Sequence, residues 1–272
     1  MSPVKEPRFF AYEGEILDFA GPGDEIVAKS SITEIDSYRA LFDGVKNEAA
    51  IGEASPNYLY VPKAPERIRH HIPDARLIAI LRNPVERAYS NFMHNIRDGF
   101  EPLSDFGQVL REEQTRIRNR WAPRWHYRNQ GFYYAQLMRY FEKFKRNQIK
   151  IILYEEFGAN TRSLMGDLFR FLDVDDKFAP DVSTRYNMSG IPQNQIVNTI
   201  LKQHQRFQTL SRRFIPERLR RFARNVRNNN LVKPTIPAEI RNELIDEYKE
   251  DIEKLEKLID KDLSAWMQKE RS

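Results

Sequence analysis

Two short apolar runs, Leu77-Ile-Ala-Ile-Leu81 and Ile149-Lys-Ile-Ile-Leu153, stand apart from the longer periodic stretches of this chain. A run of that length cannot offset the cost of helix nucleation, so each predicts a strand, the first buried on both faces. Helical spacing governs other segments. Tyr133, Leu137, Tyr140, Phe141 and Phe144 fall on one stripe, as do Ile240, Leu244, Ile245, Tyr248, Ile252, Leu255 and Leu258 within a long helix over 236–267. Shorter helices are predicted over 35–42, 65–72 and 162–172, and a polar one through Arg120. Val4 to Phe10 reads as extended, because a residue before proline avoids the helical region and paired aromatics favour sheet. Ala49 to Gly52 reads as a small-residue strand entering a loop at Ser55-Pro56. Strands alternating with helices predict an α/β fold, a parallel sheet flanked by helices with right-handed crossovers. Beyond Pro180 no strand pattern is visible, so the C-terminal part is expected to be mostly helical.

Composition narrows this picture. With 272 residues, 40% hydrophobic and 12% aromatic, the chain can build a substantial core, and no flexible linker divides it, so 1–272 is expected to be one domain. The charged fraction of 31% and the lack of an apolar run near 18 residues predict no membrane span. No charged-then-apolar leader opens the chain and there are no cysteines, which predicts a cytoplasmic protein without disulfides, thiolate chemistry or Cys-based metal sites. Adjacent His70 and His71 point about 100° apart on a helix and do not make a metal pair. A net charge of +5 suits an anionic ligand without indicating nucleic acid. From Lys202 to Arg227 there are nine Lys or Arg against the single acid Glu217, which reads either as a solvated helix face or as a polyanion patch.

The most informative chemistry follows the first strand. Asn83 can cap a helix and Pro84 fits its first position, so Arg82 stands at the carboxyl end of the strand. Ligands bind at that edge of open α/β sheets, and a guanidinium beside helix N–H groups suits a phosphate. The alternative is a solvated helix start in which Arg82, Glu86 and Arg87 make local ion pairs. Glu53, beside Ser55-Pro56, is either part of an ordinary cap or a carboxylate aimed into a site. Trp121 to Arg128 mixes aromatics and cations without periodicity, and reads as a packed loop or as the wall of an acceptor pocket.

Arg82-Asn-Pro-Val-Glu-Arg-Ala-Tyr-Ser90 resembles the segment with which sulfotransferases grip the 3′-phosphate of 3′-phosphoadenosine 5′-phosphosulfate. Lys5-Glu6-Pro-Arg-Phe-Phe10, Glu53-Ala-Ser-Pro-x-Tyr58, Gly131-x-Tyr133, Glu156-x-Gly158 and the closing Leu263-Ser-x-Trp266 resemble further segments of bacterial and glycan sulfotransferases, in order. The resemblance implies a single-domain P-loop-type fold and sulfuryl transfer to a hydroxyl or amine, with no metal. The implied acceptor is a small molecule or glycan. It also implies that Arg82 and Ser90 bind the 3′-phosphate, with Arg185 as a further cofactor-binding candidate, and that Glu6 is the catalytic base, assisted or replaced by Glu53. Glu6 could instead be a surface carboxylate paired with Lys5 or Arg8. The family's opening strand and Lys-x-Gly-Thr-Thr loop have no counterpart before Lys5, so the sheet is expected to lack a central strand, leaving edges unpaired. Ala54 stands where the family carries Lys, and Arg8 where glycan enzymes often carry His. A catalytically degenerate relative that holds an anionic ligand or polyanion is the alternative function.

Overall fold

The computed structural model describes residues 1–178, 180, 191–192, 231–232 and 234–270. Its centre is a parallel pair, β1 (Leu77–Leu81) and β2 (Ile149–Leu153), in register from Leu77 opposite Ile149 to Leu81 opposite Leu153. The ladder continues one step, Tyr154 N–H donating to the Leu81 carbonyl at 2.7 Å. The outer edge of each strand has no ladder partner among the described residues.

Helix α6 (Pro84–Asp98) follows β1 directly. Asn83 Oδ1 accepts from the N–H groups of Val85 and Glu86 at 3.0 and 3.3 Å, Pro84 takes the first position, and Gly99 closes the helix at φ 76°. Its apolar side packs into the main core with α7 (Phe106–Arg118), α8 (Tyr133–Phe141) and the C-terminal α10 (Ala238–Ile259), whose Leu244, Ile245, Tyr248, Ile252 and Leu255 are buried. At roughly 1.5–3 kcal/mol for each fully buried aliphatic or aromatic side chain, this stripe is what fastens α10 to the domain. Close packing extends to Gly131, where a Cβ would lie 2.6 Å from the Tyr248 ring.

Ala79, Leu81, Ile151 and Leu153 face that core, while α9 (Glu156–Leu172) covers Ile152 on the opposite face through Leu164 and Leu168. Helices therefore flank a parallel sheet, as expected. Burial of β1 on both faces does not hold: Ile78 and Ile80 are 40% and 52% exposed, because α9 lies over β2 and nothing among the described residues covers the β1 half of that face.

The amino-terminal segment departs most from expectation. Phe9–Tyr12 forms one helical turn, α1, rather than extended chain. Burial decides this, since the turn buries Phe9 and Phe10 against Tyr38, Ile68, Tyr140 and Phe144, with Phe9 stacked on Tyr38 at 4.6 Å. Short helices α2 (Asp24–Ser30), α3 (Ile35–Ala40), α4 (Asn57–Tyr60) and α5 (Ala64–His71) complete this half. No strand forms over 49–52, and the chain there is irregular. The long C-terminal helix is shorter than its spacing suggested, since Asp260 turns left-handed at φ 54° and a 3₁₀ turn, Ser264–Met267, follows. One brief antiparallel pair, β3 (Ile191–Pro192) with β4 (Leu231–Val232), corrects the expectation of no strand beyond Pro180. Arg185 and the basic stretch 202–227 lie outside the described residues. No helix among the described residues is long and apolar enough to cross a membrane.

Candidate active site

Arg82 stands at the carboxyl end of β1, one residue before the cap of α6. Its carbonyl accepts from the buried Tyr133 hydroxyl at 3.0 Å, and its guanidinium lies over the Tyr154 ring at 5.3 Å. The side chain keeps 26% exposure and approaches Glu86 Oε2 at 3.4 Å. The local ion-pair reading is thus partly realised, though Arg87 turns away to the Tyr127 carbonyl and Gln130. Glu86 and Ser90 are one turn apart and share a helix face. The backbone amides offer less than expected, because Asn83 already occupies the N–H groups of Val85 and Glu86. His94, one turn past Ser90, has its pKa lowered by burial and by the charges of Arg97 and Arg82, against the opposing Asp98.

A second cluster joins the two carboxylates. Glu6 Oε2 accepts from Arg8 Nη2 at 3.0 Å, with Lys5 at 3.7 Å from its other oxygen. Arg8 N–H donates to Ser55 Oγ at 3.1 Å, and Ser55 in turn donates to Glu53 Oε2 at 2.9 Å. The Tyr58 hydroxyl holds the remaining Glu53 oxygen. Burial raises the Glu53 pKa against these two donors, and the nearby Glu6 charge raises it further. Glu6 is instead bonded to a cation, Arg8. The two carboxylates therefore sit in different environments, a condition for dividing acid and base roles.

Helix α8 connects the clusters. Tyr133 at its start holds Arg82, while near its end Tyr140 Oη donates to the Tyr58 carbonyl at 2.6 Å and Arg139 reaches the Leu59 and Tyr60 carbonyls at 3.0 Å each. Periodicity had marked Tyr133 and Tyr140 only as core. Their hydroxyls gave no signal in the sequence, since the carbonyls they meet are 51 and 82 residues away. Trp121 to Arg128 resolves as a packed loop: Trp125, His126 and Tyr127 are buried, Tyr60 Oη lies 2.9 Å from His126 Nδ1, and the other ring nitrogen meets the Trp121 carbonyl. Asp24, which sequence reasoning passed over, is fully buried and accepts from Gly21 N–H, Ala122 N–H and Trp125 Nε1.

An α/β fold with an arginine at a strand's carboxyl end presents a cation at the edge where such sheets bind ligands. Residues 24–179 match the Sulfotransferase family model, and the chain belongs to that family. It is similar to a crystal structure of a sulfotransferase from Alicyclobacillus acidocaldarius, with 34% identity and a TM-score of 0.74 over 98% of this chain and 87% of that one. It is also 28% identical over 150 residues to a bifunctional heparan sulfate N-deacetylase/N-sulfotransferase 1 of Xenopus laevis, a match covering 52% of this chain and 16% of that protein. A human heparan sulfate glucosamine 3-O-sulfotransferase 6 is 36% identical over 59 residues, 22% of this chain and 17% of that protein. The matched stretch is thus a small part of these curated relatives.

Proposed function

We propose that this protein moves a sulfuryl group from 3′-phosphoadenosine 5′-phosphosulfate to a hydroxyl or amine of a small-molecule or glycan acceptor. Membership of the sulfotransferase family supports the reaction class, and the names of the heparan sulfate relatives favour a glycan. The observation that carries the donor assignment is Arg82, which presents a partly exposed guanidinium at the carboxyl edge of β1 while its backbone carbonyl accepts from the Tyr133 hydroxyl. Arg82 and Ser90 hold the 3′-phosphate in this reading, with Arg185, outside the described residues, a further candidate. Glu6 takes the proton of the acceptor as its oxygen or nitrogen bonds to sulfur. The sulfur–oxygen bond to the 5′-phosphate breaks, and adenosine 3′,5′-bisphosphate leaves. Glu53, anchored by Ser55 and Tyr58, holds the Glu6–Arg8 segment in place and is the second carboxylate within reach of the acceptor. Alignment and charge placement supply most of the acceleration in such a displacement, and a positioned base adds about 10²–10⁴-fold.

Arg82→Lys tests the assignment. Lysine keeps the charge and loses the planar fork, so one charge-assisted contact of roughly 1.5–3 kcal/mol should be lost, weakening adenosine 3′,5′-bisphosphate by about 10- to 100-fold. Adenosine 5′-phosphate, measured by the same calorimetric titration, should bind both proteins equally. An equal loss for both nucleotides would assign Arg82 to the fold. Nucleotide binding without transfer to any of a panel of hydroxyl and amine acceptors would favour the binding-only alternative.

A further inference from the structure

Two arginines are among the partners of Glu86, and only one of them belongs to the strand-end turn. Its Oε1 contacts Arg241 Nη2 from α10, while its Oε2 lies 3.4 Å from Arg82 Nη2. The sharing is unequal. A charge-assisted N–H···O bond runs at roughly 2.7–2.9 Å, so the Arg82 contact is stretched and the Arg241 contact closed. Arg241 is itself held: its Nε lies 3.0 Å from Glu270 Oε1, and Glu270 is pinned by two 3.2 Å bonds between its backbone and the Asn242 side chain. The same C-terminal segment reaches the turn directly, the Trp266 carbonyl accepting from Asn83 Nδ2 at 3.4 Å. All three side chains are largely shielded, with exposures of 16%, 23% and 26% for Arg241, Glu86 and Arg82. Screening by water is therefore reduced.

A carboxylate so close to Arg82 works against a phosphate in two ways: it competes for the guanidinium, and it repels the dianion. We infer that Arg241 is a positioning residue for the anion site, holding the Glu86 carboxylate on the α10 side so that Arg82 keeps donors for a phosphate. This rests on the reading of Arg82 as the 3′-phosphate ligand. The C-terminal helix thereby contributes to donor binding without touching the donor. Without Arg241, one cation that holds Glu86 on the α10 side is gone, and the carboxylate is drawn toward Arg82, its i,i+4 neighbour. Without Glu86, that competitor is removed.

The inference predicts that one substitution repairs another. In Arg241→Gln, the preference for adenosine 3′,5′-bisphosphate over adenosine 5′-phosphate, read by calorimetric titration, should fall about tenfold, equivalent to one lost contact. Adding Glu86→Gln to that protein should restore the preference to within about threefold of wild type. Arg241→Lys, which retains the cation, should keep most of it, and guards against a defect caused by poor folding. A glue role for Arg241 would lower the melting temperature in every variant while leaving the nucleotide preference unchanged, and that result overturns the inference. So does a double variant no better than Arg241→Gln alone. If wild type itself binds the two nucleotides equally, the donor reading falls first, and this inference with it.

Discussion

Arg116→Met is the sharpest test of what holds the site-bearing helix in place. Arg116 and Glu101 are 4% and 0% exposed and pair through two parallel bonds of 2.8 Å each. Glu101 also accepts from Tyr127 Oη at 2.7 Å and Leu103 N–H at 3.1 Å, and the guanidinium lies over Trp121 at 4.8 Å. Tyr127 Oη takes a bond from Asn95 Nδ2 at 2.7 Å, which carries the network into α6. Methionine fills most of the space and removes the charge, leaving Glu101 buried with two of its four donors. Breaking a buried pair in this way costs about 3–5 kcal/mol, against at most about 1 kcal/mol for an exposed pair. At about 2–4 °C per kcal/mol for a chain near this size, the melting temperature should drop by about 6–20 °C. Thermal and urea unfolding followed by circular dichroism at neutral pH would measure it. Glu101→Gln combined with Arg116→Met should recover a good part of the loss, since no uncompensated charge remains. A loss below about 1 kcal/mol in the single variant would refute the reasoning, because it would place Glu101 in contact with water.

Glu6→Gln should lower turnover by about 10²–10⁴-fold with nucleotide affinity unchanged, measured by transfer of labelled sulfate to an acceptor. If Glu53→Gln abolishes turnover while Glu6→Gln does not, the two roles are exchanged. Glu53 also sets a pH dependence of stability. Burial raises its folded pKa above the ordinary 4.5, so the folded state binds that proton more tightly than the unfolded chain does. Its contribution is then fully present below about pH 4.5 and is lost as pH rises through the raised value. Relative to Glu53→Gln, wild type should lose stability over that interval, and parallel urea titrations with a flat difference would disprove the shift.

What the sequence revealed and what it hid follow the same physical division. The strand Leu77–Leu81, the Asn83 cap, Pro84 at the first helical position and the apolar stripe of α10 are all local patterns, and each is present. The placement of Arg82 at a strand end and of Ser90 on the helix that follows was legible because both are set within nine residues. The turn at Phe9–Tyr12 was not legible, since its reason is burial against Tyr38 and Tyr140, well along the chain. Exposure of Ile78 and Ile80 depends on where α9 lies, which alternation within β1 does not encode. Arg241 looked like any cation near the start of a long helix. Only the fold brings it to Glu86, 155 residues away.

The candidate base raises the question of how the fold holds it. Glu6 and Arg8 are both left-handed, at φ 52° and 55°, on either side of Pro7. Neither is glycine, and a residue before proline is pushed toward extended backbone, so this arrangement costs on the order of 1–3 kcal/mol at each position. Relaxed backbone would swing the Glu6 side chain elsewhere, so something must hold it. Three bonds oppose relaxation: Arg8 N–H to Ser55, Arg8 Nη1 to Ser30 and Arg8 Nη2 to Glu6 itself. Beyond them, Phe9 and Phe10 are 0% and 3% exposed, each contributing roughly 1.5–3 kcal/mol, and they fix the chain just past the strained residues. The aromatic pair therefore does more than fill the second core, because its burial offsets the strain that keeps Glu6 beside Arg8, Ser55 and Glu53. The strained segment also carries the Glu6 ion pairs with Lys5 and Arg8, and it sets where the carboxylate stands, which is what the proposed base requires.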